Sequence, residues 1–339
     1  MKDYSDNDIV LDLNGFLRQD NVDQEETFFN FLLDMSTYNG KLTGIPIAPE
    51  VWFIVYNEKR FQDAGIPEPS ENWTWEELAD AGKRLKAAYG GQSIYNPIML
   101  PFDAFTLENL IASNGGSILS DDGQTAQGYL NSDASVQAVE WVVDLVVKDQ
   151  LAKPSTLQDL VNLFANTNKA LLNQSSIYIV PTSFKSFIPA DKGFKIASLP
   201  YFANGERVNI PNMMSFGISS KSKYPEVAWD FLKELTFNDT EITRSMVKYN
   251  LNSTKTIIGQ FMDDPIIKTS YREFEYARIG SMYKNRNFLS ANRNKISPAL
   301  RDLIYSANNG ENVNVKESLS EIARDIEADL KEEEYIPFQ

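Results

Sequence analysis

Residues 40–57 read GKLTGIPIAPEVWFIVYN, and the rest of the chain is organised around them. The run 51–56 is rich in β-branched and aromatic residues, a composition that predicts a buried strand. Pro46 and Pro49 precede this run, and a proline interrupts a strand ladder where it sits because it has no N–H to donate. We therefore expect the chain to leave one sheet and enter another at this point.

The composition is that of a folded, acidic protein. With 339 residues, the chain is long enough for two lobes that each bury a core, and 42% of its residues are apolar. The net charge is −15 and the pI is about 4.6. Nucleic acids and anionic membrane surfaces attract basic faces, so we expect neither as a partner. The acidity is typical of a soluble surface.

Cysteine and histidine are both absent from the sequence. This excludes disulfides, thiol nucleophiles, Ser-His-Asp triads and the usual zinc sites. We expect no cofactor and no metal.

Helical and strand patterns alternate along the chain, which predicts an α/β fold with a mostly parallel sheet. Thr74 and Glu77 have the spacing of a capping box, so a helix should begin there and run to about residue 89. Further helices are predicted at 104–113, 155–172 and 315–330. Strands are predicted at residues 94–100, 176–180, 195–199 and 215–219.

Six segments in order resemble a known family. They are GKLTGIP at 40–46, FQDAGIPEPSENWTWEEL at 61–78, FTLENLIASNGG at 105–116, the stretch 164–181, Leu199-Pro200 with the strand SFGIS at 215–219, and the C-terminal helix. In the fourth stretch, residues 166–168 replace the family's usual glycine. Together these segments resemble the maltose-binding-protein-like solute-binding proteins of sugar ABC importers, extracellular solute-binding protein family 1.

The resemblance implies the two-lobe, type II periplasmic-binding-protein-like α/β fold, with hinge crossings and a cleft between the lobes. We expect residues 1–49 and 200–281 to form the N-terminal lobe. Residues 50–199 and 282–339 should form the C-terminal lobe.

The N-terminal residues differ from the beginning of a typical family member. MKDYSD is polar and contains no apolar signal-peptide core and no lipid-accepting cysteine. Residues 9–13 resemble the segment that closes the family's first βαβ portion. We therefore expect an incomplete N-terminal lobe. By resemblance, the protein would be an extracytoplasmic, membrane-anchored lipoprotein.

Sugar sites combine aromatic platforms with planar polar side chains, and ligands of open α/β sheets bind beyond the carboxyl ends of the strands. Glu50 and Trp52 follow the first crossing. The resemblance implies that Glu50 binds sugar, since the maltose-binding protein has a sugar-binding glutamate there. A carboxylate at a solvated rim is the alternative for Glu50. Trp52 is either a platform or a core residue.

Asp103 and Phe105 follow the next predicted strand, where Asp103 either contacts a ligand or caps the following helix. Thr182 follows the strand at 176–180. Many family members have tryptophan at that position, so we expect Phe184 or Tyr201 to replace the missing platform.

Three more candidates complete the predicted site. Asn212 precedes the strand at 215–219. Phe288 and Arg293 lie between the last helices, where family members have another platform; Arg293 is either a ligand contact or a surface arginine. The predicted substrate-binding residues are thus Glu50, Trp52, Asp103, Phe105, Thr182, Phe184, Tyr201, Asn212, Phe288 and Arg293.

The resemblance implies a monomeric receptor that binds an oligosaccharide without chemistry and, on lobe closure, presents a surface to the membrane permeases of an ABC importer. The first alternative is a glycoside hydrolase or lyase using Glu50 and Asp103. The second is a truncated receptor that no longer binds.

Overall fold

The computed structural model describes residues 2–91, 95–165, 175–188, 193–247, 250–285 and 287–331. Its strands are β1 (Thr37–Tyr38), β2 (Lys41–Leu42), β3 (Ile45–Glu50), β4 (Trp52–Asn57), β5 (Ile98–Met99), β6 (Ile177–Pro181), β7 (Phe194–Ser198) and β8 (Asn212–Phe216).

The helices before β8 are α1 (Lys2–Asp6), α2 (Asn14–Gln19), α3 (Gln24–Thr27), α4 (Asn30–Ser36), α5 (Glu58–Asp63), α6 (Trp75–Tyr89), α7 (Ala104–Ser113), α8 (Asp133–Val147) and α9 (Leu157–Ala165). Those after it are α10 (Pro225–Thr236), α11 (Glu241–Val247), α12 (Lys255–Gly259), α13 (Pro265–Glu273), α14 (Ser281–Lys284), α15 (Phe288–Ala291), α16 (Ser297–Asn308) and α17 (Val315–Lys331). Short 3₁₀ segments occupy Thr182–Phe187 and Phe274–Tyr276, and Asn292–Ile296 is π-helical.

The chain folds into two compact units. Unit 1 consists of Met1–Phe53, Val180–Pro189 and Asn209–Ile279, and unit 2 consists of Ile54–Ile179, Ala190–Val208 and Gly280–Gln339. The lobe boundaries expected from the sequence stay a prediction. Each unit is discontinuous, so the chain crosses from one to the other several times.

In unit 1, β3 pairs with β8 in an antiparallel ladder that contains a β-bulge. Ile47 lies opposite Met214 and Glu50 lies opposite Asn212, so two residues of β3 face one residue of β8 between these pairs. One of the two residues is Pro49, which has no N–H to donate to the ladder. The other, Ala48, has a φ of 44°, which is left-handed and strained for a residue with a Cβ. The bulge therefore sets the direction of the chain at the carboxyl end of β3.

The core of unit 1 lies between α2, α10 and β3. It contains the buried side chains of Leu13, Leu17, Phe28, Leu33, Leu42, Ile45, Ile218, Trp229 and Leu232. The indole Nε1 of Trp229 donates to the Asp20 carboxylate at 2.8 Å. Helix α10 is thus amphipathic, and the face that carries Trp229 and Leu232 packs into the core.

A four-stranded sheet in the order β5-β6-β4-β7 forms the centre of unit 2, with β5 and β6 parallel as expected. In the run 54–57 of β4, the first three residues are buried and the last is half-buried, which fits an internal strand covered by helices. The predicted parallel pairing is confirmed for β5 and β6.

Several predicted elements are confirmed by local signals. Helix α6 begins with the reciprocal Thr74–Glu77 capping box. The helix expected at 104–113 has these same bounds. The strand expected at 94–100 is only two residues long, Ile98–Met99, and residues 92–94 lie outside the described residues. The end of the helix expected at 155–172 also lies outside them.

The predicted bounds of the last strand, 215–219, are wrong. Strand β8 is Asn212–Phe216, because its ladder partner β3 ends at Glu50 opposite Asn212. Beyond it, Ile218 enters the core of unit 1 and its carbonyl accepts the N–H of Leu11. Gly217 permits this exit, since a Cβ there would lie 2.7 Å from the Thr43 carbonyl oxygen.

Candidate functional site

Glu50 lies at the carboxyl end of β3, directly opposite Asn212. Directly opposed residues of a ladder share one face, so the carboxylate and the amide are neighbours on the sheet. The Glu50 carboxylate accepts hydrogen bonds from the hydroxyl and the backbone N–H of Ser183. Burial raises the pKa of Glu50, and the two bonds from Ser183 oppose that shift. A half-buried carboxylate with a hydroxyl and an amide nearby can accept hydrogen bonds from a polyol.

The predicted residues Thr182, Trp52 and Phe184 are buried in unit 1, with exposed fractions of 2%, 3% and 3%. The hydroxyl of Thr182 accepts the N–H of Val51 at 3.1 Å. Both backbone groups of Trp52 bond to the side chain of Asn209. These contacts fit structural roles and support the core alternative for Trp52.

Asp103 in unit 2 caps α7, since its carboxylate accepts the N–H of Thr106 at 3.0 Å. Burial is the main cause of its raised pKa, while the hydrogen bonds it accepts and the charge of Arg301 act in the opposite direction. Next to it, the N–H of Ala104 donates to the hydroxyl of Ser297, which donates to Asn292. The start of α7 is therefore tied to the segment that contains Arg293.

The remaining candidates of unit 2 differ in exposure. Arg293 is exposed on the π-helical turn, and Phe288 is fully buried at the start of α15. Phe105 and Tyr201 are half-buried. The carbonyl of Tyr201 accepts the N–H of Trp75, which ties it to the start of α6.

Within unit 1 the structure brings together Glu50 and Asn212, and within unit 2 it links Asp103 to the turn of Arg293. Ser183 and Asn209, which contact Glu50 and Trp52, were not among the predicted site residues. Asn209 lies between Val208 and Ile210, and a polar residue flanked by two β-branched apolar residues could have pointed to a buried hydrogen-bond role.

A cavity of about 770 Å³ in unit 1 is lined by another set of residues, among them Lys185, Arg244 and Asp264. Four of its charged side chains form two ion pairs: Lys185 with Asp264 at 2.9 Å, and Arg244 with Asp239 at 2.6 Å. The hydrogen bonds from Arg244 lower the pKa of Asp239 to about 2. The predicted site residues do not line this cavity, and we do not assign the site to it.

Among the described residues, no three carboxylates are grouped as ligands for a metal ion. No helix among the residues that the structure describes is long and apolar enough to cross a membrane.

Two solved structures show the fold. The chain resembles UgpB from Mycobacterium tuberculosis, crystallised with glycerophosphocholine, with a TM-score of 0.78, 19% identity and coverage of 97% of this chain and 81% of that one. It resembles an ABC substrate-binding protein from Listeria monocytogenes in complex with cycloalternan, with a TM-score of 0.75, 18% identity and coverage of 96% and 81%. The expected two-lobe, type II solute-binding fold is confirmed.

A sequence relative and a family model give the assignment. A binding protein from Brucella abortus is 26% identical over 249 residues, which is 70% of this chain and 56% of that protein. The chain thus spans little more than half the length of this relative. The family model of the bacterial extracellular solute-binding proteins, which are binding proteins and not enzymes, matches residues 1–242. The chain belongs to the bacterial extracellular solute-binding protein family.

Proposed function

We propose that this protein binds an oligosaccharide as the extracytoplasmic solute receptor of an ABC importer. The observation that carries the proposal is the family match over residues 1–242. The similar Listeria protein was solved in complex with cycloalternan, a carbohydrate. Family membership favours binding over the glycoside hydrolase or lyase alternative, and membrane anchoring as a lipoprotein belongs to the proposal.

Glu50 and its neighbours have the chemistry that the proposal requires. Sugar hydroxyls donate hydrogen bonds to a carboxylate, and charge-assisted bonds of this kind are stronger than neutral ones. Ser183 and Asn212 add a hydroxyl and an amide beside Glu50, so the end of β3 offers both donors and acceptors. In unit 2, Phe105 and Tyr201 are the half-buried aromatic rings among the predicted residues, and we propose them as platforms.

Binding would proceed by closure of the two lobes around the sugar, and the closed form would contact the permease subunits as a monomer. Chemistry is not part of this cycle. A receptor releases its ligand unchanged, whereas a hydrolase produces new reducing ends.

Isothermal titration calorimetry against maltose, maltotriose, cycloalternan and glycerophosphocholine tests the proposal. We expect saturable heat with at least one sugar and a Kd in the micromolar range, about −8 kcal/mol. Binding of glycerophosphocholine alone would reassign the ligand class. No binding by any of the four compounds would contradict the proposal and favour a receptor that no longer binds. New reducing ends after incubation would favour the hydrolase.

A further inference from the structure

Between the end of β3 and the start of β4, the side chains of Thr182 and Asn209 make hydrogen bonds to the backbone. The N–H of Val51 donates to the Thr182 hydroxyl at 3.1 Å, and the Thr182 N–H donates to the Val51 carbonyl at 2.9 Å. The N–H of Trp52 donates to Oδ1 of Asn209 at 3.0 Å, and Nδ2 of Asn209 donates to the Trp52 carbonyl at 2.8 Å. The Asn209 amide therefore pairs with Trp52 as the peptide group of a neighbouring strand would.

The same asparagine is tied to a third segment of unit 1. Its Nδ2 also donates to the buried Glu273 carboxylate at 3.0 Å. Its backbone N–H donates to the Tyr276 carbonyl, and its carbonyl accepts the N–H of Arg278, both at 3.0 Å. Asn209 itself is fully buried. Both amide donors, the side-chain acceptor and both backbone groups are thus used within unit 1.

These contacts lie where the chain leaves or enters unit 1. The chain leaves unit 1 after Phe53, the residue that follows Trp52. It is again in unit 1 from Asn209, the first residue of the segment Asn209–Ile279. Arg278 lies one residue before the end of that same segment. The side chain of Asn209 therefore contacts the backbone at the first crossing, and the backbone of Asn209 pairs with the backbone at the last crossing.

We propose that Asn209 is a positioning residue that holds three crossing segments of unit 1 in one fixed arrangement, and thereby fixes the strand end that carries Glu50. The importance of Glu50 for a ligand rests on the proposed function, but the arrangement of the crossings does not. An amide suits this position because it has donors and an acceptor on one planar group. Aspartate would keep only acceptors and would place a second carboxylate beside Glu273, and alanine would leave Trp52 and Glu273 without these bonds.

Asn285 provides a matched control in unit 2. It is 5% exposed, its Nδ2 donates to the carbonyls of Gly123 and Leu330 at 2.8 and 3.1 Å, and its Oδ1 accepts the N–H of Asn287 at 2.8 Å. Like Asn209, it is buried, and its side-chain amide uses both its donor and its acceptor atoms. It lies five residues after the crossing into unit 2, and its side-chain bonds join segments of unit 2 alone. Asn209→Ala and Asn285→Ala should both lower the Tm.

Because the chain has no cysteine, two engineered cysteines allow clean spin labelling. Labels at Glu226→Cys in unit 1 and Glu321→Cys in unit 2 occupy exposed positions on α10 and α17. Double electron–electron resonance on the unliganded protein then reports the distribution of distances between the units. We expect Asn209→Ala to broaden or shift this distribution, and Asn285→Ala to leave it as in the parent. An unchanged distribution in Asn209→Ala, with a lowered Tm, would reduce Asn209 to a structural residue and overturn the proposal.

Hydrogen exchange on the parent protein tests the same proposal without a variant that could fail to fold. The amides of Trp52, Asn209 and Arg278 should exchange with one common protection factor, since they belong to one network. In a folded Asn209→Ala variant, the Trp52 amide should exchange about tenfold faster or more, because its acceptor is gone. Independent protection factors at these three amides in the parent would contradict the proposal. These readouts need no ligand, so their failure is distinguishable from failure of the proposed sugar binding.

Discussion

Large apolar side chains are much more exposed in unit 1 than in unit 2. In unit 1, Met214, Tyr224, Val227 and Phe231 each have more than 60% of their surface exposed. In unit 2, the exposed large apolar residues among those described are Tyr129, Val147, Leu289 and Tyr305, with 39–44% each. The smaller unit therefore covers less of its apolar surface.

The two units also differ in how their sheets are built. Among the described residues, β8 has β3 as its only partner in the ladder, whereas the sheet of unit 2 has four strands. Tyr224 at the N-cap of α10, together with Val227 and Phe231 on the helix, forms an exposed stripe beside the buried Trp229 and Leu232. An uncovered face and an open strand edge lower the stability of a unit and favour association. We expect unit 1 to open at a lower free energy than unit 2.

Substitutions of two neighbouring residues of α10 test this comparison with the largest expected effect. Leu232 is 5% exposed within the core, and Phe231 is 63% exposed. Leu232→Ala should lower the free energy of unfolding by about 2–5 kcal/mol through lost burial and a cavity. Phe231→Ala should change it by no more than about 0.5 kcal/mol. Urea unfolding of both variants measures the contrast, and a large loss in Phe231→Ala would mean that this surface is covered in solution.

The next test applies one substitution to a carboxylate of each unit. Glu50→Gln keeps the size of a half-buried side chain in unit 1 and removes its charge. If Glu50 accepts hydrogen bonds from sugar hydroxyls, binding should weaken by about 1.5–3 kcal/mol. Glu108→Gln in unit 2 is the control, because Glu108 is buried and bonded to Ser281. Calorimetry with the tightest-binding sugar of the panel should show a loss for Glu50→Gln alone; an unchanged affinity would remove Glu50 from the site.

The same Glu108→Gln variant has a smaller, pH-dependent effect on stability. Burial raises the pKa of Glu108 in the folded state. The protonated carboxyl of Glu108 therefore makes its full contribution to the free energy of unfolding below the unfolded-state pKa, near 4.3. This contribution is lost as the pH rises through the folded-state pKa. The glutamine does not ionise, so the stability of Glu108→Gln relative to the parent should increase from about pH 4 to about pH 8. Urea unfolding across this range checks the sign, and a constant difference would show that Glu108 keeps an ordinary pKa.

The elements that could be predicted from the sequence are those with local causes. The Thr74–Glu77 capping box spans one turn of helix, and the apolar residues of α17 recur at steps of three or four residues. Both helices form as predicted. The bulge at Ala48 could not be predicted, because it depends on pairing with β8 more than 160 residues away. The partners of Glu50 and Trp52 have the same non-local origin: Ser183 and Asn209 reach them only after the chain has crossed between units.

Hydrogen exchange of the protein with and without the tightest-binding sugar tests the central claim, that the end of β3 in unit 1 binds a carbohydrate. We predict slower exchange on sugar addition at residues 45–57 and 182–187, and an unchanged rate at 255–273 in the same unit. Sugar binding that slows exchange elsewhere in the chain but leaves 45–57 and 182–187 unchanged would contradict the account.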